Sequence, residues 1–181
     1  LSPHVLPVPL LASDWINPAY YSPMPRDQRD IDILMVANWL PFKRHWLLFD
    51  ALRSMPRSLS VVLIGIAAPG RSTDVLKREA RAFGVKQDIQ FVSNVPIAEV
   101  ARYQCRAKTA VIFSAREGSC VAVSESLFAD TPVGMMRDAH IGSMRYINSR
   151  TGRLFQRLRL GRQLLDFVER SSEYAPRRWA E

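Results

Sequence analysis

The chain has 181 residues, enough for one domain with a full hydrophobic core. With 48% apolar and 23% charged residues it excludes wholesale disorder, and no apolar run approaches the roughly 20 residues needed to span a bilayer. A formal charge of +8 raises nucleic acid as a partner, yet no aromatic-studded basic sheet or Cys/His finger accompanies it, so none is expected.

Six of the 12 prolines fall in the first 25 residues (Pro3, Pro7, Pro9, Pro18, Pro23, Pro25), so residues 1–30 read as an extended lead-in or interdomain linker. After Asp30 the pattern becomes regular. Apolar runs suited to buried strands appear at Ile31–Ala37, Val61–Ile64, Ile89–Val92, Ala110–Phe113, Val133–Met136 and Arg153–Phe155. Between them, helical periodicity marks His45–Ser54, Val75–Phe83, Ile97–Arg106, Val121–Ala129 and Ile141–Tyr146, and a last helix is expected around Arg162–Arg170. This alternation predicts an α/β domain over 31–170, a Rossmann-like doubly wound parallel sheet of about six strands. Residues 171–181 read as a truncated C-terminal segment, in which Trp179 lacks an obvious local partner.

Basic residues concentrate at the end: from Arg150 onward there are eight arginines and four acids. A solvated surface is the plain reading, and peripheral contact with an anionic membrane is the sharper one. Cys105 and Cys120 are too few for a disulfide framework and read as free thiols of a reducing, cytoplasmic compartment. The start shows neither a signal peptide nor an initiator Met, which points to processing or excision from a longer chain.

In a doubly wound sheet, ligands bind beyond the carboxyl ends of the strands. The strongest constellation lies at such an end: Phe113, Ser114, Glu117, Gly118, Ser119, Cys120 and, about two turns into the next helix, Glu125. Gly118 permits close backbone approach, Ser119 is a candidate N-cap, and the following amides form a helix N-terminus suited to a diphosphate. Glu117 would stand at the loop mouth. Glu125, flanked on its helix face by Val121 and Phe128, could accept hydrogen bonds from vicinal hydroxyls. Spacing alone is cheap, because Glu173 and Glu181 share it in a tail without strand–loop–helix context.

These residues resemble glycosyltransferase family 4, the group 1 transferases of GT-B fold. Ser114, Glu117, Gly118 and Glu125, followed by Thr131-Pro132-Val133, match that family's signature stretch. Val61–Gly65 resembles its second strand with a terminal glycine, Phe91–Pro96 its base-pocket strand and loop, and Tyr103 with Ala107 its Tyr-x-x-Ala stretch. Gly142 and Thr151-Gly152-Arg153-Leu154 match its later glycine and Thr-Gly-x-Leu segment. The resemblance implies one lobe of a GT-B fold that binds a nucleoside diphosphate sugar, with retention at the anomeric carbon. Glu117 would be the catalytic-site carboxylate on the donor sugar and Glu125 would hold the ribose. Lys43 would hold the diphosphate beside the Gly118–Cys120 loop, with Val95 by the base; Arg44, standing where the family commonly has glycine, could supply the charge of the arginine missing at Asn38. An N-terminal lobe would precede Leu1 and bring a saccharide or lipid-linked acceptor, so this half alone would turn over little.

Several positions depart from the family. Ala37-Asn38 stands where Gly-Arg is usual, Ser119-Cys120 replaces Phe-Gly, and Asp130 replaces the glycine before Thr-Pro. No metal is expected. Asp30-Ile31-Asp32 has a metal-binding form but leads into a strand at the end opposite the crevice, and His4, His45 and His140 lack ligand spacing. His140, in a loop near Gly142, could face the sugar. No cofactor beyond the sugar nucleotide is called for. A sugar-nucleotide epimerase of GT-B-like fold and a non-catalytic nucleotide-binding module are the alternatives.

Overall fold

The computed structural model describes residues 12–181. The first part of the expected lead-in, with Pro3, Pro7, Pro9 and His4, lies outside them. In chain order the first half forms β1 (Ile31–Val36), α1 (His45–Leu52), β2 (Val61–Gly65), α2 (Thr73–Ala82), β3 (Ile89–Ser93) and α3 (Ile97–Arg106). The second half forms β4 (Ala107–Ile112), β5 (Arg116–Glu117), α4 (Val121–Phe128), β6 (Val133–Met136), β7 (His140–Ile141), β8 (Gly152–Phe155), α5 (Leu160–Glu169) and α6 (Pro176–Ala180).

Six strands make one parallel sheet in the order β3-β2-β1-β4-β6-β8. The apolar runs dictate its register: Ile33 lies beside Val61 on one flank and Thr109 on the other, and Val133 beside Ala110 and Gly152. Strand order reverses between β1 and β4, which opens a crevice beyond their carboxyl ends. Alternation along β1 serves two layers. Ile33 and Met35 join Trp39, Leu48, Phe49 and Phe167 in the larger core, while Leu34 between them joins Val62, Ile64 and Val100 in the core under α3. Ile31 joins the second core out of this alternation, beyond the point where the Asp32 and Ile33 N–H groups both donate to the Ser60 carbonyl. All five residues of β2 are buried, as expected of a strand covered on both faces.

The expected elements are present with end shifts of a few residues. β4 starts at Ala107 rather than Ala110, because α3 runs into it without a loop and its polar residues are engaged: Lys108 Nζ pairs with Asp32 Oδ1 at 2.7 Å and Thr109 Oγ1 donates to the Asp32 carbonyl at 2.7 Å. The helical periodicity at Ile141–Tyr146 produces a 3-10 turn, Gly142–Tyr146. α2 begins early, capped by the Ser72 hydroxyl accepting from Val75 N–H at 3.4 Å. No helix among the described residues is long and apolar enough to cross a membrane.

The extended lead-in expected at the first flank is corrected. Residues 12–30 are not simply extended: they contain three 3-10 turns, and Tyr21 is buried against Ala101, Cys105 and Ala129. The C-terminal segment is equally well seated. The α6 residue Arg177 donates to the Tyr21 and Phe128 carbonyls, and the Trp179 ring meets Tyr146 at 6.2 Å.

The anchor for both flanks is Asp130. Its backbone adopts a left-handed conformation (φ 55), which explains a glycine preference there and which Asp tolerates better than most residues. Its carboxylate accepts from Arg26 at 2.9 Å and from the Arg177 N–H at 3.2 Å, with Arg29 3.8 Å away. Arg29 is itself buried. It donates to the carbonyls of Met24, Ala107, Ala129 and Asp130 and to Thr131 Oγ1. One guanidinium thus satisfies the end of α4 and the start of β4, where backbone acceptors would otherwise be orphaned.

Candidate functional site

The crevice is shaped first by the loop after β1. Ala37 N–H and Trp39 N–H donate to the carbonyls of Ile64 (2.8 Å) and Ile66 (3.0 Å), pulling this loop over the end of β2. Only glycine fits beneath it: a Cβ on Gly65 would strike the Ala37 carbonyl and come within 2.8 Å of the Trp39 ring. Trp39 is fully buried, with its indole N–H donating to Thr73 Oγ1 at 3.2 Å. Asn38 is left on the cleft surface. A short 3-10 turn, Pro41–Lys43, then presents the Lys43 side chain to the cleft.

Glu117 arrives from the opposite side. β5 and β7 pair in parallel, with Glu117 beside Ile141. His140 N–H donates to the Ala115 carbonyl, Gly142 N–H to the Gly118 carbonyl, and Ala115 N–H to the Phe42 carbonyl. Gly142 is needed here, because a Cβ would collide with the Gly118 carbonyl. The loop carrying Glu117 is therefore clamped between the β1 loop and the β6–β7 loop.

The resulting cleft of about 340 Å³ is walled by Ile64, Ile66, Ile97 and Val100 on one side and by Cys120, Val121 and Ala122 on the other. Lys43, Asn38, Asn94 and Glu117 supply its polar groups. Lys43 Nζ stands 2.9 Å from Glu117 Oε1, yet that buried oxygen accepts no well-directed hydrogen bond. Burial, with Glu117 adding to it, pushes the Cys120 thiol up to about 12, so Cys120 is a neutral wall residue and not a nucleophile.

Of the site residues read from the sequence, the structure brings Lys43, Val95, Glu117 and Cys120 to this cleft. Gly118 and Ser119 are exposed just outside its lining. The N-cap position of α4 is held by Cys120, not Ser119, and has no side-chain cap. Nothing lies within 4 Å of a Cβ built on Gly118, so protein packing does not demand this glycine.

Arg44 is turned away. Its backbone is left-handed (φ 54), which sends the guanidinium to the carbonyls of Phe113 (2.5 Å) and Ser114 (3.1 Å), with Asp138 3.6 Å away. It braces the end of β4 and is not among the cleft-lining residues. Glu125 also lies outside the lining, one helical turn beyond Val121, where Gln104 Nε2 donates to Oε2 at 3.3 Å. Burial raises the Glu125 carboxyl above its ordinary value, and the Gln104 hydrogen bond opposes that rise. His140 is exposed and outside the cleft lining.

Asp30 and Asp32 sit at the opposite end of β1, where Arg106 and Lys108 engage them. Sequence reasoning missed the apolar walls Ile66 and Ile97, whereas the left-handed Asn94 (φ 56) falls within the Phe91–Pro96 stretch expected at the base pocket; all three follow strand ends. Their position just beyond predicted strands was the available signal.

The family model for glycosyl transferases group 1 matches residues 22–148. The chain belongs to this family. No curated protein sequence matches it. Among solved structures, this group 1 glycosyltransferase chain is similar to Anabaena HepE in complex with UDP and glucose, at 16% identity and TM-score 0.71, covering 91% of this chain and 50% of that one. Sucrose-phosphate synthase from Thermosynechococcus elongatus aligns at 18% identity and TM-score 0.72, covering 92% and 44%. TarM of S. aureus, in a complex that includes UDP, aligns at 14% and 0.68, covering 86% and 32%. The likeness shows the fold, one Rossmann-like lobe of a GT-B architecture. The chain spans half or less of the length of these proteins.

Proposed function

We propose that this chain binds the donor of a glycosyl transfer, a nucleoside diphosphate sugar, and presents it to an acceptor held by a second lobe. The observation that carries the reading is the Lys43–Glu117 pair at the carboxyl-end crevice between β1 and β4. An ammonium whose carboxylate partner is held without a well-directed hydrogen bond can exchange it for a phosphate oxygen, freeing Glu117 to accept from sugar hydroxyls. The amino-terminal end of α4 adds backbone N–H groups and a favourable dipole beside them. Apolar walls at Ile66, Val95 and Ile97 suit the face of a base. HepE, which shares the fold, has been seen with UDP and with UDP-glucose.

In this reading Lys43 neutralises charge on the departing diphosphate and Glu117 fixes the glycosyl group, while retention at the anomeric carbon and a saccharide or lipid-linked acceptor follow from the family resemblance. Calorimetry with UDP, GDP and ADP tests it. At least one should bind, with loss on Lys43→Met. No binding by any of the three to a folded protein overturns the assignment.

A further inference from the structure

Val100 of α3 and Val121 of α4 both line the cleft, and Gln104 and Glu125 stand four residues on from them in their helices. Residues four apart share a helix face, so this pair lies one turn beneath the cleft wall in the α3–α4 seam. Gln104 is fully buried. Its Nε2 donates to Glu125 Oε2 at 3.3 Å, and among the described residues it is the one hydrogen-bond donor to that carboxylate. Its own Oε1 is buried with no partner.

That orphan oxygen is informative. An amide could be turned to suit its own acceptor, but turning this one would set Oε1 against the carboxylate. The buried amide instead leaves its oxygen unsatisfied and gives its N–H2 to Glu125. The backbone beneath it is fixed as well, since Thr131 Oγ1 donates to the Gln104 carbonyl at 2.7 Å. Thr131 in turn accepts from Arg29 at 3.1 Å. A chain of contacts from the buried guanidinium therefore ends on the Glu125 carboxylate.

We infer that Gln104 is the positioning residue for Glu125, holding its carboxylate in the α3–α4 seam to receive the vicinal ribose hydroxyls of the donor nucleotide. The inference rests on the donor-binding reading above. Other groups near Glu125 do not replace Gln104. Burial and the Glu125 charge hold the Tyr21 phenol well above its usual range, and the buried Cys105 thiol is also raised. Arg177 of α6 spends its guanidinium on the Tyr21 and Phe128 carbonyls and on Glu181, and Arg145 of the adjacent turn lies over the Tyr146 ring. None of them offers Glu125 a hydrogen bond among the described residues.

Gln104→Met keeps the shape and removes the donor. The Glu125 carboxyl, followed by carbon-13 NMR in the ligand-free protein, should then titrate about one pH unit higher, the effect of losing one hydrogen bond to the ionised form. The affinity for UDP should fall severalfold near neutral pH, with the loss deepening as pH drops, while 2′,3′-dideoxy-UDP should bind both proteins equally. Gln104→Glu offers a donor only when protonated, so its UDP affinity should recover part of the loss on acidification. An unchanged Glu125 titration in Gln104→Met overturns the positioning role, as does an equal loss for UDP and its dideoxy analogue. If the titration shifts but wild-type affinity is the same for both nucleotides, the ribose role of Glu125 fails instead, and with it the inference.

Discussion

Lys43 Nζ lies 2.9 Å from Glu117 Oε1, with both side chains about 15% exposed, so each is the other's charge partner at the cleft. On the proposed reading a diphosphate competes with Glu117 for Lys43, so the two substitutions should act in opposite directions. Lys43→Met should weaken UDP binding by roughly tenfold or more, the scale of a charge-assisted contact. Glu117→Gln removes the competitor, so UDP without a sugar should bind a few times more tightly, while the additional affinity conferred by a sugar should disappear. Calorimetry with UDP and UDP-sugars against both variants checks this, and a Glu117→Gln variant that loses UDP affinity contradicts it.

Gly142 sets the position of Glu117 from outside the cleft. Gly142→Ala drives a Cβ into the Gly118 carbonyl and should loosen the β5–β7 pairing. The expected cost is about 1–3 kcal/mol, that of an overpacked contact. The fold should persist by circular dichroism, and affinity for a sugar nucleotide should fall more than affinity for the bare nucleotide.

His45 should confer acid sensitivity on the fold. It is buried at the start of α1 with neither ring nitrogen in a well-directed hydrogen bond, and burial, together with Arg71 and Lys43, pushes its pKa down to about 4 against a weaker opposing contact with the Ala37 backbone. The unfolded chain, with a pKa near 6.5, binds the proton more readily than the folded one. The histidine's contribution is thus fully present above pH 6.5 and is lost as pH falls toward 4, about 3 kcal/mol in all. Urea titrations from pH 7 to 4 should show this slope in the wild type and its flattening in His45→Phe.

Asp130 should matter to stability although it is far from the chemistry. Asp130→Asn removes the charge that faces Arg26 and Arg29 and should destabilise by about 2 kcal/mol in denaturant unfolding. Asp130→Gly relieves the left-handed backbone but removes the side chain altogether, so it should be no more stable than Asp130→Asn. A glycine variant more stable than wild type refutes the anchoring role.

The sheet was legible because its strands are short apolar runs bounded by polar turns, and burial on both faces leaves little else for such runs to do. Glu117 and Cys120 could be placed near the cleft from their strand–loop–helix context, and Lys43 and Val95 from the family resemblance; all four follow strand ends, where this topology places ligands. Arg44 and Ser119 were not legible, since a left-handed φ at Arg44 redirects its side chain and the α4 helix starts one residue later than its hydroxyl suggested. Val121 and Phe128 on the same helix face argue against a purely solvating Glu125, but only the structure shows Gln104 beside it, 21 positions earlier in the chain. The Arg29–Asp130 anchor escaped for a similar reason: its partners are about a hundred residues apart.

The two-residue pairing of β5 with β7 has an evolutionary consequence. Glu117 owes its place to residues 115–118 and 140–142, and Gly142 and His140 themselves stand outside the cleft. Substitutions in the β6–β7 connection can therefore shift the carboxylate relative to Lys43 while every wall residue stays the same. Selectivity at this cleft can diverge between relatives whose lining residues are identical.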